Sequence, residues 1–182
     1  IPDSYVCENY YRITDLEVMK SILKHNNKVG QILTKKGIAC SITNNRTTTE
    51  RQESIYNYAR KRKPYMYVLR NFIWGFNTWN TKELNEWIDE FNPEVILYVA
   101  GSFIYSYKIA LKIAQTRKIP LIVYFSDDHY ITFLKTLSPI YWLNRFQFKN
   151  TVKRVINYST DFICICDEMN KAYSQIFRKE GN

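Results

Sequence analysis

Val95 to Ala100 (VILYVA), Ile119 to Phe125 (IPLIVYF) and Phe162 to Cys166 (FICIC) are three apolar runs of strand length, separated by two stretches that read as helices. Strand, helix, strand, helix, strand predicts a parallel sheet joined by right-handed crossovers. The first connection, from about Phe103 to Arg117, places Ile104, Tyr107, Leu111 and Ala114 on one helical face. The second holds a long basic helix from about Pro139 to Tyr158. Ser126, Asp127, Asp128 and His129 follow the middle run directly. Open α/β sheets bind ligands beyond the carboxyl ends of their strands, so these residues are the first candidates for a site.

Outward from this stretch, Asn80 and Glu83 open a helix whose Leu84, Trp87, Ile88 and Phe91 form a core-facing stripe, and Asn92 and Pro93 turn the chain into the first run. Further back, Thr14 and Glu17 form a capping box for a helix to Lys24 with a stripe of Leu16, Met19 and Leu23. Gln31 to Thr34 and Ile38 to Thr43 read as strands around Gly37, and a second helix starts at Thr49 and ends in Arg60, Lys61, Arg62 and Lys63. Cations in a last helical turn complement the dipole, so that run is either a solvated helix end or an anion-binding patch. The aromatic stretch Tyr65 to Trp79 carries no clear period. After the third run, Asp167 is expected to cap a last helix through Arg178. The whole chain, 1–182, reads as a single α/β domain. It begins at Ile1 rather than Met and stops just after a helix, where a β/α layout calls for another strand, so a longer parent protein is expected.

Composition narrows the classes. The chain is 46% hydrophobic, which excludes a disordered protein, and 5 Gly and 5 Pro in 182 residues argue against a fibrous or loop-rich one. A net charge of +9 points to an anionic partner: a nucleotide, a phospholipid surface, a polyanionic glycan or a nucleic acid. Cys7, Cys40, Cys164 and Cys166 lack zinc-knuckle spacing. Cys164 and Cys166, two apart in an expected strand, read as small buried hydrophobes and suit a reducing compartment. No signal peptide is evident, and no apolar run approaches the ~20 residues that span a bilayer.

Two adjacent carboxylates on an extended chain point opposite ways, so one of Asp127 and Asp128 at most enters a site with His129. Such groups at a strand end take a proton from an acceptor hydroxyl, orient a sugar or bind a metal. The plainer reading is that the Asp residues build a turn. A metal is not expected, because further ligands at readable spacing are missing. Gly101 and Ser102 after the first run either offer backbone approach and the amides of the following helix to a ligand or simply make a tight turn. GxGxxG, GxxxxGK[ST] and GxSxG are all absent, which argues against a simple dinucleotide-binding domain, a P-loop enzyme and a serine hydrolase. In the helix Tyr141 to Tyr158, Arg145, Lys149, Lys153 and Arg154 fall near one face, as in an ordinary amphipathic helix or in one that docks on anionic lipid or another polyanion.

Three segments carry a family resemblance: Trp87 to Ala100 (WIDEFNPEVILYVA), Ile119 to Asp127 (IPLIVYFSD) and Thr160 to Phe177 (TDFICICDEMNKAYSQIF). Over roughly residues 84–178 the chain resembles the N-terminal half of GT-B glycosyltransferases of the family 4 type. It departs from them at Ser126-Asp127, where members often have His-Asp, with Asp128 added and His129 displaced. Cys166 stands where a Ser is usual, leaving capping to Asp167, and the Gly-rich loop after the family's first strand is missing. The resemblance implies a Rossmann-like three-layer sandwich with a mainly parallel sheet, one half of a GT-B fold. That half binds the acceptor, and a C-terminal half outside this chain supplies the nucleotide-sugar site. Implied further are transfer of a sugar to a glycan or lipid-linked acceptor, as in bacterial capsule or other surface polysaccharide synthesis, and no obligatory metal. By the same resemblance, the fragment itself is expected to need no cofactor and to be inactive alone, and the full-length enzyme to use a nucleotide-sugar donor. Asp127 and Asp128 are then the catalytic candidates, and Gly101, Ser102, Ser126, His129 and Tyr130 the acceptor contacts. A cytoplasmic enzyme, peripheral at the inner face of the membrane, suits the charge. Two other readings are a basic polyanion- or nucleic-acid-binding domain, and a metal-dependent hydrolase built on Asp127, Asp128 and His129. Under the glycosyltransferase reading no nucleic acid is expected as a partner.

Overall fold

The computed structural model describes residues 9–24, 29–34 and 64–181. The chain divides into two compact units, Ile1–Phe91 and Asn92–Asn182, each with its own buried residues. The strand expected at Ile38 to Thr43, the helix from Thr49, the run Arg60 to Lys63, and Cys7 and Cys40 lie outside the described residues.

In the first unit, β1 (Asn9–Arg12) pairs antiparallel with β2 (Gln31–Thr34), Tyr11 opposite Ile32. Between them, α1 (Asp15–Lys24) opens on the expected capping box. The Thr14 amide and hydroxyl each donate to Glu17 Oε2 at 2.8 Å, and the Glu17 amide donates back to Thr14 Oγ1 at 3.3 Å. The expected stripe of Leu16, Met19 and Leu23 is exposed instead, and Val18 is the buried residue. Gly30 sits at φ 91, and a β-carbon there would lie 2.3 Å from the Tyr11 ring, so both backbone and packing require glycine. The aperiodic aromatic stretch forms α2 (Pro64–Gly75). Arg70 and Trp74 of α2 both donate to the Asp15 carboxylate, at 2.8 and 2.7 Å. In α3 (Lys82–Phe91), Leu84 and Ile88 are buried while Phe91 is exposed. Its start is capped by Thr81, whose Oγ1 accepts from the Leu84 amide at 3.2 Å, rather than by Asn80, whose side chain accepts from Asn85.

The second unit is mixed α/β with a parallel three-stranded sheet. β3 (Ile96–Ala100), α4 (Ile104–Arg117), β4 (Leu121–Phe125), α5 (Pro139–Tyr158), β5 (Asp161–Cys164) and α6 (Asp167–Phe177) follow in turn. The strand order is β3-β4-β5, with Ala100 level with Phe125 and Phe125 level with Cys164. Strands that step one way through right-handed crossovers carry their helices on one face. That is what is seen: Ala100, Leu121, Val123, Phe125 and Phe162 share a single core with residues of all three helices. Ile104, Tyr107, Leu111 and Ala114 are buried there as the spacing of α4 predicts. Phe125, Phe162, Tyr173 and Phe177 pack edge to face, with ring centroids 4.8 Å apart for Phe125 and Tyr173, each such pair adding ~0.5–1.5 kcal/mol beyond simple burial. The opposite face of the sheet carries Leu97, Val99 and Ile165, which are 61%, 59% and 59% exposed.

Two expectations at the end of β5 are corrected. The strand stops at Cys164, and Cys166 becomes the exposed N-cap residue of α6 with no side-chain cap hydrogen bond. Asp167 is the first residue inside the helix, where it and Glu168 complement the positive end of the dipole. Cys166 is therefore not a buried hydrophobe. Cys164 is partly buried against the core, and burial pushes its thiol up to about 11.

Candidate functional site

The register brings the ends of the three strands level. Ala100 and Phe125 are partners, so Gly101 and Ser126 leave the sheet side by side. The Ile165 amide then donates to the Phe125 carbonyl at 3.1 Å, drawing the β5 end to the same edge. Gly101 and Ser102 lead into α4, whose N-cap is Phe103, a residue with no oxygen to offer the first amides. The turn is fixed from below: Ser106 Oγ donates to the Phe103 carbonyl at 2.7 Å and lies 2.7 Å from the Tyr98 hydroxyl. With the serine proton spent on Phe103, Tyr98 is the donor of that pair. Burial pushes the Tyr98 hydroxyl up to about 12. Gly101 has no positive φ, and a β-carbon there would meet nothing within 4 Å. Neither backbone nor packing demands a glycine, and the space beside it is open.

After β4, the two neighbouring carboxylates part ways. Asp127 is exposed, and its carbonyl accepts from the His129 amide at 3.1 Å. Asp128 turns inward and organises the loop. Its Oδ1 accepts from the Tyr130 amide at 3.1 Å, the Ile131 amide at 2.8 Å and the Tyr173 hydroxyl at 2.8 Å. Its Oδ2 accepts from the Thr132 amide at 2.9 Å and the Thr132 hydroxyl at 2.7 Å. Burial pushes this carboxyl up, but the Ile131 amide, the Thr132 and Tyr173 hydroxyls and the Thr132 amide together outweigh it and bring it down to about 2. The Tyr173 hydroxyl is pushed up in turn, by burial first and then by its bond to the carboxylate.

Arg145, expected on an outer polyanion-binding face, points inward instead. Its Nη1 donates to the His129 carbonyl at 2.5 Å and its Nη2 to the Tyr130 carbonyl. Lys149 lies with its Nζ 5.1 Å from the centre of the Tyr130 ring, a cation–π contact. Tyr130 itself is buried, packed edge to face on Tyr173 and Phe177. Of the four basic residues Arg145, Lys149, Lys153 and Arg154, only the last two are exposed. The sequence shows the loop's polar residues but not what ties the loop down. Thr132, Tyr173 and the guanidinium of Arg145 lie four, 45 and 17 residues from Asp128, and only the first was within reach of a local turn signal.

The chemistry this leaves is specific. At the sheet edge stand the exposed Asp127 carboxylate, the half-buried Ser126 and His129, and the backbone of Gly101 and Ser102. They supply acceptors and donors suited to hydroxyl-rich ligands, held by a loop whose shape is set by Asp128 and Arg145. A separate open groove of about 580 Å³ lies over α5 and α6, lined by Tyr130, Phe133, Phe146, Lys149, Lys153 and Ile176 among others. Among Gly101, Ser102, Ser126, Asp127 and His129, none lines it. Among the described residues, no three His, Cys, Asp or Glu side chains converge as a metal cluster, and no helix is long and apolar enough to cross a membrane. No family model, no curated protein and no solved structure matches the chain.

Proposed function

We propose that residues 92–182 belong to the acceptor-binding half of a GT-B type glycosyltransferase, with a Rossmann-like sheet whose carboxyl edge holds a glycan or lipid-linked acceptor. The observation that carries the reading is the flush edge of a parallel sheet, where Gly101, Ser126 and Asp127 leave neighbouring strands, with open space beside Gly101 and Asp127 exposed. Asp127 orients or deprotonates the acceptor hydroxyl, and His129 and Ser126 contact the sugar. Asp128 serves as the positioning residue: a carboxylate that accepts five hydrogen bonds has no lone pair to spare for a substrate proton. The apolar back face of Leu97, Val99 and Ile165 supports a larger sandwich, since a third layer of helices would cover it. In this reading the donor site lies on a C-terminal half that follows the chain, and the nucleotide sugar is bound there.

The test is acceptor binding by the chain itself. Alkyl glucosides and alkyl N-acetylglucosaminides are titrated into isotopically labelled protein. The expected result is saturable movement of the amide signals of Gly101, Ser102 and Ser126 to His129, abolished in Asp127→Asn. If no member of the panel moves those signals, or Asp127→Asn binds as well as the wild type, the acceptor-site reading fails.

A further inference from the structure

The stretch between Asp128 and Asp161 has no acidic residue in 32 positions, yet holds Lys135, Arg145, Lys149, Lys153 and Arg154. The same stretch carries the densest exposed apolar surface of the second unit. Phe133, Leu134 and Leu137 in the loop, and Trp142, Leu143 and Phe146 in the first turns of α5, are all exposed, Leu137 at 99% and Phe146 at 65%. A soluble helix turns such residues inward. Here the inward face is taken by Phe148, Val152, Val155 and Ile156 further along α5, and its first two turns present their apolar side outward.

This surface is built, not frayed. The Leu134 amide donates to the Tyr141 hydroxyl at 2.8 Å, and Trp142 Nε1 donates to the Thr136 carbonyl at 2.9 Å. Phe133 and Trp142 lie ring to ring at 6.0 Å, and Ser138 caps α5 through the Tyr141 amide, with Pro139 at its first position. The loop is thus pinned to the helix with its large side chains left outside. Along the outer stripe of α5 the chemistry then changes: Ile140, Leu143 and Phe146 give way to Asn150, Lys153, Arg154 and Asn157, all exposed. The groove that holds Phe133 and Phe146 also holds Lys149 and Lys153, so the basic collar borders the apolar pole.

We propose that the loop 131–137 and the first turns of α5 form a docking pole that seats this unit on an anionic lipid bilayer. Leu137, Leu134 and Phe133 enter the acyl boundary, Trp142 sits at the headgroup level, and Lys135, Lys153 and Arg154 meet phosphates. The apolar pole calls for hydrocarbon and the acid-free collar calls for anions; a lipid surface offers both at the spacing of a helix whose apolar end dips and whose basic end stays in the headgroups. A nucleic acid would answer the collar but leave Leu137 and Phe146 in water. The proposal is independent of the sugar-transfer reading, because none of its residues lies at the sheet edge.

The test is co-sedimentation of the 182-residue chain with vesicles of phosphatidylcholine alone and of phosphatidylcholine mixed with phosphatidylglycerol. Binding is expected to the mixed vesicles only, and to weaken as salt rises. Phe133→Asp combined with Leu137→Asp is expected to lower partitioning by at least about tenfold. These side chains are exposed, and an unchanged far-ultraviolet circular dichroism spectrum controls for folding. Lys153→Glu with Arg154→Glu is expected to lower it by about a hundredfold at low salt and to flatten the salt dependence. Absence of binding to the mixed vesicles, equal binding to neutral ones, or undiminished binding by the aspartate variant overturns the proposal. Concentration-dependent dimerisation that Leu137→Asp abolishes, without vesicle binding, also overturns it and gives the face to a second copy of the chain.

Discussion

Asp127 and Asp128 show how far identity underdetermines role at the scale of a residue. The two are chemically equal and adjacent, yet one is exposed and the other accepts from three amides and two hydroxyls. Their variants should therefore separate. Asp127→Ala should leave thermal stability within about 0.5 kcal/mol, as for a surface change. Asp128→Asn turns a donor toward the Thr132 amide and should cost about 2 kcal/mol, read as a lower melting temperature. The pH dependence follows from the carboxyl held at about 2. Because the folded value lies below the unfolded one near 3.9, the stabilisation is fully present above about pH 4 and is lost as pH falls toward 2. Melting curves of the wild type should drop through that window, and those of Asp128→Asn should drop less steeply. The cysteines separate in the same way: with its thiol pushed up to about 11, Cys164 should resist iodoacetamide at pH 8 while the exposed Cys166 is alkylated, as peptide mass spectrometry would show. Adjacent acids at a strand end were legible in the sequence as a turn or a site. Which of them did which was not, because the deciding partner, Tyr173, is 45 residues away.

At the scale of elements, local signals that involve near neighbours were readable and those set by tertiary contact were not. The Thr14–Glu17 capping box and the buried face of α4 needed only spacing. β1 went unread, because a four-residue NYYR strand shows no apolar alternation and exists through its pairing with β2. α2 starts on Pro64 and stops at Gly75, both boundary signals, but it lacks acidic first-turn and basic last-turn residues and its aromatic interior shows no clear period, so the ends went unread. In α5, periodicity assigned Arg145 to the outside. The guanidinium instead bridges two carbonyls of the preceding loop, the task its planar fork suits and an ammonium does not. Arg145→Met keeps the stem and removes the donors, leaving the His129 and Tyr130 carbonyls without them. It should cost about 1–3 kcal/mol, and Arg145→Lys should recover only part of the loss. Hydrogen exchange should report where the loss falls: faster exchange at Tyr130 to Thr132 with α6 unchanged. Equal loosening of α6 would show that the clamp supports the core rather than the loop.

For the whole molecule, the question is what each unit owes to itself. The strand order was implicit in three apolar runs and two connecting helices, because sequential parallel strands with right-handed crossovers permit one arrangement of helices, on a single face. The exposed second face was hidden in the same runs: Leu97 and Val99 are as apolar as Leu121 and Val123, and continuous apolar runs do not say which side is covered. The core of the second unit lies wholly within residues 92–182, on one side of its sheet. A fragment of those residues should therefore fold alone with a single cooperative thermal transition, seen identically by circular dichroism and Trp142 fluorescence. The decisive control is Phe162→Ala, at the fully buried centre of the edge-to-face ring cluster. Its loss should cost ~3–5 kcal/mol, a large share of the 5–15 kcal/mol that stabilises an ordinary domain. For a unit of this size that is a fall in melting temperature on the order of 20 °C. The same substitution in the full chain should give the same shift if the unit carries its own stability. A much smaller shift in the full chain would mean that the stability of the sheet is not contained within residues 92–182.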